Sequence, residues 1–132
     1  MNKKTFYLST IQVLAIHDQM IKRFGGSFGI RDLSLIESAL GRLQATFDGN
    51  DLYKNLFDKA AALLQSLLKN HPFVDGNERT ALTSTGIFLE LNSYILINNH
   101  EEEVAFVVKV SNERLSLEDI SNWLRKHTKA KN

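Results

Sequence analysis

Residues 71–81, HPFVDGNERTA, bring together side chains suited to acid–base and phosphate chemistry. His71 is the one side chain of this stretch that exchanges a proton near neutral pH. Asp75 is a lone carboxylate, which is sufficient for Mg²⁺ when substrate phosphates supply further oxygen ligands. The stretch therefore combines a candidate general base with a candidate metal ligand.

The second half of the same stretch has the features of an anion site. A helix is expected to begin there, and the free N–H groups and dipole of a helix N-terminus attract anions. Gly76 lets the backbone approach a ligand closely, and Asn77 is expected both to cap the helix and to form hydrogen bonds. Arg79 opposes the dipole in the first turn, which makes sense if its guanidinium binds a phosphate. From composition alone, a structural turn between two helices explains the stretch equally well.

Hydrophobic periodicity predicts an all-α fold of five to seven helices. Two capping boxes, Ser9–Gln12 and Ser34–Glu37, mark the starts of the first two helices. The clearest pattern begins at Asp51 and includes Tyr53 on its apolar face, and it must stop before Pro72. The predicted helices cover about residues 9–24, 34–43, 51–70, 77–91 and 104–110, with a last helix capped by Ser116.

Three segments are less regular. Residues 104–110 fit a helix, although their β-branched side chains fit a strand as well. Asp48-Gly49-Asn50 predicts a tight turn between two short strands, a hairpin-like flap. Residues 126–132 are rich in lysine and are expected to be frayed. We therefore expect one domain over residues 1–132, with its core between residues 8 and 125.

The composition limits the possible classes of protein. A chain of 132 residues buries a core without disulfides, and this one has no cysteine. A net charge of +1 disfavours a protein that coats nucleic acid. Neither a signal peptide nor an apolar stretch of membrane-spanning length is visible. These observations predict a cytoplasmic protein that binds neither nucleic acid nor a membrane directly.

The stretch HPFVDGNERTA resembles the signature loop of the Fic/Doc family, H-x-F-x-[DE]-G-N-[GK]-R, which joins two core helices of an all-α fold. The stretches IHDQMIKRFGGSFGIRD and LIESALGRLQA resemble the N-terminal half of death-on-curing (Doc) toxins. Together the resemblance covers residues 8 to about 125. It favours a catalytic loop over a purely structural turn.

The resemblance implies roles for three catalytic residues. His71 would be the general base that takes the proton from a target hydroxyl. Asp75 would bind Mg²⁺, and Arg79 would clamp the phosphates of ATP. The flap around residues 48–50 would guide the segment of the target that is modified.

The implied phosphate cradle consists of Gly76, Asn77, Glu78 and Arg79, and Phe73 would anchor the loop without taking part in the chemistry. Glu78 departs from the family pattern, which has Gly or Lys at this position. An acid beside phosphates is unexpected, because like charges at close range repel each other. We expect the Glu78 side chain to turn outward, with a second Mg²⁺ ligand as the alternative.

The function implied by the resemblance is that of a Doc-type toxin, which transfers a phosphate from ATP to a protein hydroxyl, with elongation factor Tu as target. AMP transfer is the alternative, but members with that activity usually carry a second arginine where this chain has Leu82. A degenerate module that only binds its antitoxin is a further alternative. The self-inhibitory pattern [ST]-x-x-x-E-[GN] is absent from this sequence, so the implied inhibitor is a separate, Phd-like antitoxin.

The remaining histidines carry weaker signals. His17-Asp18 matches only the start of a metal-dependent hydrolase motif, and we expect His17 to make a local hydrogen bond within its helix. His100 and His127 lie in polar contexts without a pattern. Glu101–Glu103 is expected to be a solvated helix start, where acidic side chains favour the helix dipole.

Overall fold

A computed structural model describes residues 4–97 and 99–131. Six helices form the fold of this part of the chain, which confirms the predicted all-α class. None of these helices combines the length and the apolar character that a membrane crossing requires. The helices are α1 (Thr10–Phe24), α2 (Leu33–Leu43), α3 (Leu56–Asn70), α4 (Asn77–Leu91), α5 (His100–Glu113) and α6 (Leu117–Lys126). The short strands are β1 (Thr46–Phe47), β2 (Asn50–Asp51), β3 (Tyr94–Leu96) and β4 (Thr128–Ala130).

Helix α3 runs through the middle of the core. It contacts α2, α4 and α6, and every side chain from Ala60 to Leu64 is buried. Small side chains at residues 60–62 let neighbouring backbones approach closely, while the leucines fill the space between them. Because α3 is packed on several sides, its C-terminal end is a firm support for the loop that leads into α4.

The predicted start of α2 is wrong, because the helix is capped by Asp32 and not by Ser34. The Asp32 carboxylate accepts hydrogen bonds from the N and Oγ atoms of Ser34, at 3.0 and 2.6 Å. It therefore caps a helix that begins at Leu33, ahead of the predicted capping box. The hydrogen bond from the Ser34 side chain holds the pKa of Asp32 below its usual value.

The predicted start of α3 is also wrong. Asn55 caps this helix by accepting a hydrogen bond from the N–H of Asp58 at 2.9 Å, so the helix begins after the residues that the periodicity included. Tyr53 lies before the helix, and its hydroxyl accepts a hydrogen bond from Nε of Arg42 at 2.7 Å. Tyr53 fits the apolar spacing of α3 but lies outside the helix, where its side chain contacts Arg42 of α2.

The C-terminal residues form a strand, contrary to the prediction of a frayed end. Strand β4 pairs antiparallel with β3, with Lys129 opposite Ile95. The N–H of Lys131 donates to the carbonyl of Ser93 at 2.8 Å. The prediction is thus wrong for residues 126–131, since Lys126 belongs to α6 and the N–H of His127 donates to the carbonyl of Trp123. Residue 132 lies outside the described part.

The other local predictions are confirmed. Ser9 and Gln12 form both hydrogen bonds of a capping box, and Ser116 caps α6. Residues 104–110 lie in α5 and not in a strand. Strands β1 and β2 pair as the predicted hairpin, whereas its role in guiding a target stays a prediction.

Candidate active site

The HPFVDGNERTA stretch forms the loop between α3 and α4. His71 ends α3 in the left-handed conformation, with φ of 47° and ψ of 63°. Gly76 precedes α4 with φ of 74°, an angle that glycine adopts without strain. A Cβ atom on Gly76 would also lie 3.0 Å from Cδ1 of Ile21. The loop is therefore bent sharply at both ends and lies close to α1.

All the residues predicted to act in catalysis or phosphate binding border one cavity of about 380 Å³. A second cavity of about 280 Å³ shares Met20, Glu78 and Arg79 with the first. The two cavities are therefore contiguous, and volumes of this order suit a small-molecule ligand. The predicted residues on the first cavity are His71, Asp75, Gly76, Asn77, Glu78 and Arg79.

The N-terminus of α4 lacks a side-chain cap, unlike the other helices in residues 4–97 and 99–131. The prediction that Asn77 caps α4 is wrong, because its side chain is used elsewhere. Its Oδ1 accepts from the N–H of Phe73 and its Nδ2 donates to the carbonyl of Phe73, both at 2.9 Å. The N–H groups of the first turn consequently remain available to an anion. The capped helices use Ser9, Asp32, Asn55, Asn99 and Ser116.

Phe73 fills the inside of the loop and is 2% exposed. Its ring stacks on the ring of His17, with centroids 3.7 Å apart and planes 3° from parallel. Nε2 of His17 donates to the backbone carbonyl of Asp75 at 2.8 Å. The prediction of a local hydrogen bond for His17 is therefore wrong. His17 lies one helical turn from the buried Val13, and this periodicity was the available signal that it faces the core.

The Asp75 carboxylate is oriented by two backbone amides. Its Oδ1 accepts from the N–H of Gly76 at 2.9 Å, and its Oδ2 accepts from the N–H of Ser27 at 3.1 Å. Each oxygen keeps a lone pair for a cation. Within the described residues, no three His, Cys, Asp or Glu side chains form a metal-binding group. The site therefore fits Mg²⁺ only together with a nucleotide, whose phosphates and water would complete the coordination.

Two charged side chains lie where the cavities join. The guanidinium carbon of Arg79 lies 3.9 Å from the ring centroid of Phe24, a cation–π contact that fixes its position. Glu78 is exposed beside it, and no ion pair joins Glu78 to Arg79 in the described structure. Arg79 therefore presents its positive charge to the cavities without a carboxylate to neutralise it.

The second cavity is less polar than the first. Leu82 is buried and lies there with Val104 and Val107. Partial burial raises the pKa of Glu103 on the same wall, and the nearby charge of His100 opposes this effect. The apolar wall is suited to a flat, weakly polar group of a ligand whose anionic part binds at the N-terminus of α4.

The ring of His71 is exposed, and it forms no hydrogen bond with residues 4–97 or 99–131. Its backbone is held, because the carbonyl of His71 accepts a hydrogen bond from Nε of Arg31 at 2.7 Å. The ring is thus positioned by the chain while its nitrogens stay available to a ligand. Arg31 and Ser27 were not singled out from the sequence, since their contacts join segments that are distant along the chain.

Comparisons with known proteins show the family of the chain. The Fic/DOC family model matches residues 7–89, from before α1 to within α4. Toxin Doc of Mycolicibacterium smegmatis is 54% identical over 69 residues, which cover 52% of this chain and about half, 53%, of that protein. Protein kinase doc of Escherichia phage P1 is 30% identical over 120 residues, which cover 91% of this chain and 94% of that protein. The chain belongs to the Fic/DOC family.

Proposed function

We propose that this protein is a Doc-type toxin that transfers the γ-phosphate of ATP to a hydroxyl group of a protein target. The observation that carries the proposal is the single cavity bordered by His71, Asp75 and the uncapped N-terminus of α4. The names of the two relatives, Toxin Doc and Protein kinase doc, support both parts of it.

The proposed reaction needs a base beside an anion site. The ring of His71 accepts the proton of the target hydroxyl, whose oxygen forms a bond to the γ-phosphorus. The bond between that phosphorus and the oxygen bridging to the β-phosphate breaks, and ADP leaves. The amides of the first turn of α4 and the guanidinium of Arg79 hold the phosphate oxygens. Mg²⁺, bound by Asp75 together with the phosphates, would neutralise part of their charge.

The second cavity supports a nucleotide as the donor. It opens beside Arg79 and is walled by Phe24, Leu82 and Val104, which suits the apolar faces of a nucleobase. Leu82 also favours phosphate transfer over AMP transfer, because a buried apolar side chain occupies the position of the second family arginine and supplies no phosphate clamp.

Elongation factor Tu is the target that the family resemblance suggests, and it provides the direct test. We would incubate it with the protein, Mg²⁺ and ATP labelled at either the γ- or the α-phosphate. Transfer of the γ-label supports the proposal, whereas transfer of the α-label establishes AMP transfer instead. Absence of both labels from elongation factor Tu and from total cell protein, with antitoxin binding intact, would establish the degenerate binding module.

An apolar surface next to the loop supports binding of a protein partner. Four large apolar side chains in the loop, in the loop-facing connection after α1 or at the end of α1 are between 47% and 61% exposed. Large exposed apolar side chains next to a functional loop are suited to contact with a partner. They are Phe24, Phe28, Ile30 and Val74.

A Phd-like antitoxin is the proposed inhibitor, with a disordered segment that folds across this surface on binding. Expression of the chain alone should then slow growth, and co-expression of the neighbouring antitoxin gene should restore it. Growth curves with and without the antitoxin measure the effect. Unimpaired growth during strong expression of the wild-type chain alone would contradict the toxin proposal.

The exposed carboxylate of Glu78 is expected to weaken ATP binding. Two like charges about 4 Å apart cost about 1 kcal/mol in water, and more where solvent is excluded. Glu78→Lys should therefore tighten ATP binding roughly fivefold or more, as measured by calorimetry, and it should not lower the rate of transfer.

Glu37→Lys is the matched control, because it makes the same charge change at an exposed position of α2. It should leave ATP affinity as in the wild type. If Glu78→Lys instead abolishes Mg²⁺ binding and transfer, Glu78 is a metal ligand and Asp75 is not the sole one.

A further inference from the structure

Residues 26–32, which connect α1 to α2, run along the outside of the loop, and we name them the loop brace. Ile30 forms an antiparallel bridge with Phe73. The N–H of Val74 donates to the carbonyl of Gly29 at 3.1 Å. The brace therefore pairs with the middle of the loop through its backbone, as a neighbouring strand would.

Arg31 joins the brace to the end of α3 that carries His71. Its Nε donates to the carbonyl of His71 at 2.7 Å, and a second guanidinium nitrogen donates to the carbonyl of Asn70. Its backbone N–H donates to the carbonyl of Pro72 at 2.8 Å. The planar fork of arginine reaches two carbonyls at once, and its charge is favourable at a helix C-terminus. Arg31 thus fixes three successive carbonyls around the candidate base.

The other end of the brace orients Asp75. The N–H of Ser27 donates to Oδ2 of this carboxylate at 3.1 Å. Gly26 has φ of +113°, and a Cβ atom there would lie 2.7 Å from the same Oδ2. Contact at that distance requires a shift, and the carboxylate is the flexible partner. The absence of a side chain at residue 26 therefore leaves the space in which the carboxylate lies.

We propose that the loop brace is a positioning element of the active site, in which Arg31 holds the backbone of His71, and Gly26 and Ser27 orient the carboxylate of Asp75. The inference rests on the proposed function, since it assigns these residues to the placement of its base and its Mg²⁺ ligand. None of the three would touch the substrate, so they act through the residues that they hold.

Gly26→Ala tests the Asp75 half of the proposal. The displaced carboxylate should weaken Mg²⁺·ATP affinity roughly 10- to 100-fold, the usual loss when a group that orients a metal ligand is altered. Calorimetry measures the affinity. The amide resonance of Gly76, which donates to Oδ1 of Asp75, reports the carboxylate position without requiring any activity. It should move towards its position in Asp75→Ala.

Gly49→Ala is the control for backbone strain. Gly49 also has a positive φ, +81°, but a Cβ atom there meets nothing within 4 Å. This variant should keep the wild-type Gly76 resonance and the wild-type affinity for Mg²⁺·ATP, because neither measurement involves the protein target that the flap would guide. If Gly26→Ala matches Gly49→Ala in both readouts, the proposal is overturned. If the wild-type protein fails to bind Mg²⁺·ATP, the proposed function fails, while the Gly76 resonance still decides whether Gly26 orients Asp75.

Arg31→Lys tests the part of the proposal that concerns His71. Lysine keeps the positive charge but lacks the planar guanidinium that donates to two carbonyls at once. A base displaced by about 1 Å costs up to about 10²-fold in rate, so kcat should fall while KM for ATP stays unchanged. Arg23→Lys, at an exposed position of α1, should change neither. A wild-type kcat in Arg31→Lys, or a loss expressed mainly in KM for ATP, would overturn this half.

Discussion

Replacing His71 is expected to remove phosphate transfer while leaving the fold and ATP affinity intact. A positioned general base contributes about 10²–10⁴-fold to the rate, and the His71 ring forms no hydrogen bond within the described residues whose loss would destabilise them. Single-turnover transfer of a γ-label to the target measures the rate. Calorimetry measures the affinity for ATP and thermal unfolding measures the stability of the fold, and both should stay as in the wild type.

The choice of substitution matters because His71 has left-handed backbone angles, with φ of 47°. Asparagine tolerates this region better than alanine, so His71→Asn removes the base with less strain than His71→Ala. Both variants should lose transfer to the same extent. Growth arrest that persists with either well-expressed variant would show that His71 is not the base and that the proposed mechanism is wrong.

Local signals were sufficient to predict where the loop lies. The apolar periodicity of α3 and the presence of Pro72 predicted where α3 ends. The bounds of α4, residues 77 and 91, were predicted correctly. These signals act within a few residues: proline restricts its predecessor, and apolar spacing follows the helical repeat. The loop could therefore be located from the sequence, together with the residues that border its cavity.

Contacts between distant segments could not be predicted in the same way. His17 and Asp75 are 58 residues apart, and neither periodicity nor capping patterns contain information about such a pair. Strand β4 was missed for the same reason, because a lysine-rich segment forms a strand only when β3 offers its edge. The nearness of Gly26 to Asp75 likewise depends on how α1 packs beside the loop.

The contacts of His17, Gly26 and Arg31 share one property, which is that they support the loop from outside it. His17 holds the carbonyl of Asp75, and Arg31 holds the carbonyl of His71. Groups that react are recognisable by type and spacing, whereas groups that position them are recognisable only by geometry. A loop with these residue types but without such supports would leave its base and carboxylate free to move, at a cost in rate.

Phe73→Ala is expected to destabilise the protein by about 3–5 kcal/mol, the usual cost of truncating a buried phenylalanine. The side chain is 2% exposed and stacks on His17, so its loss opens a cavity between the loop and α1. Equilibrium unfolding in urea measures the change in the free energy of unfolding.

Val74→Ala is the matched control for Phe73→Ala, since Val74 is the next residue and is 61% exposed. Its truncation should change stability by less than about 0.5 kcal/mol, as for most exposed positions. Phe73→Leu separates burial from stacking, because leucine keeps most of the apolar contact and loses the parallel ring against His17. If Phe73→Ala and Val74→Ala were equally stable, Phe73 would not be the anchor of the loop, and its position would have to depend on Asn77 and the brace alone.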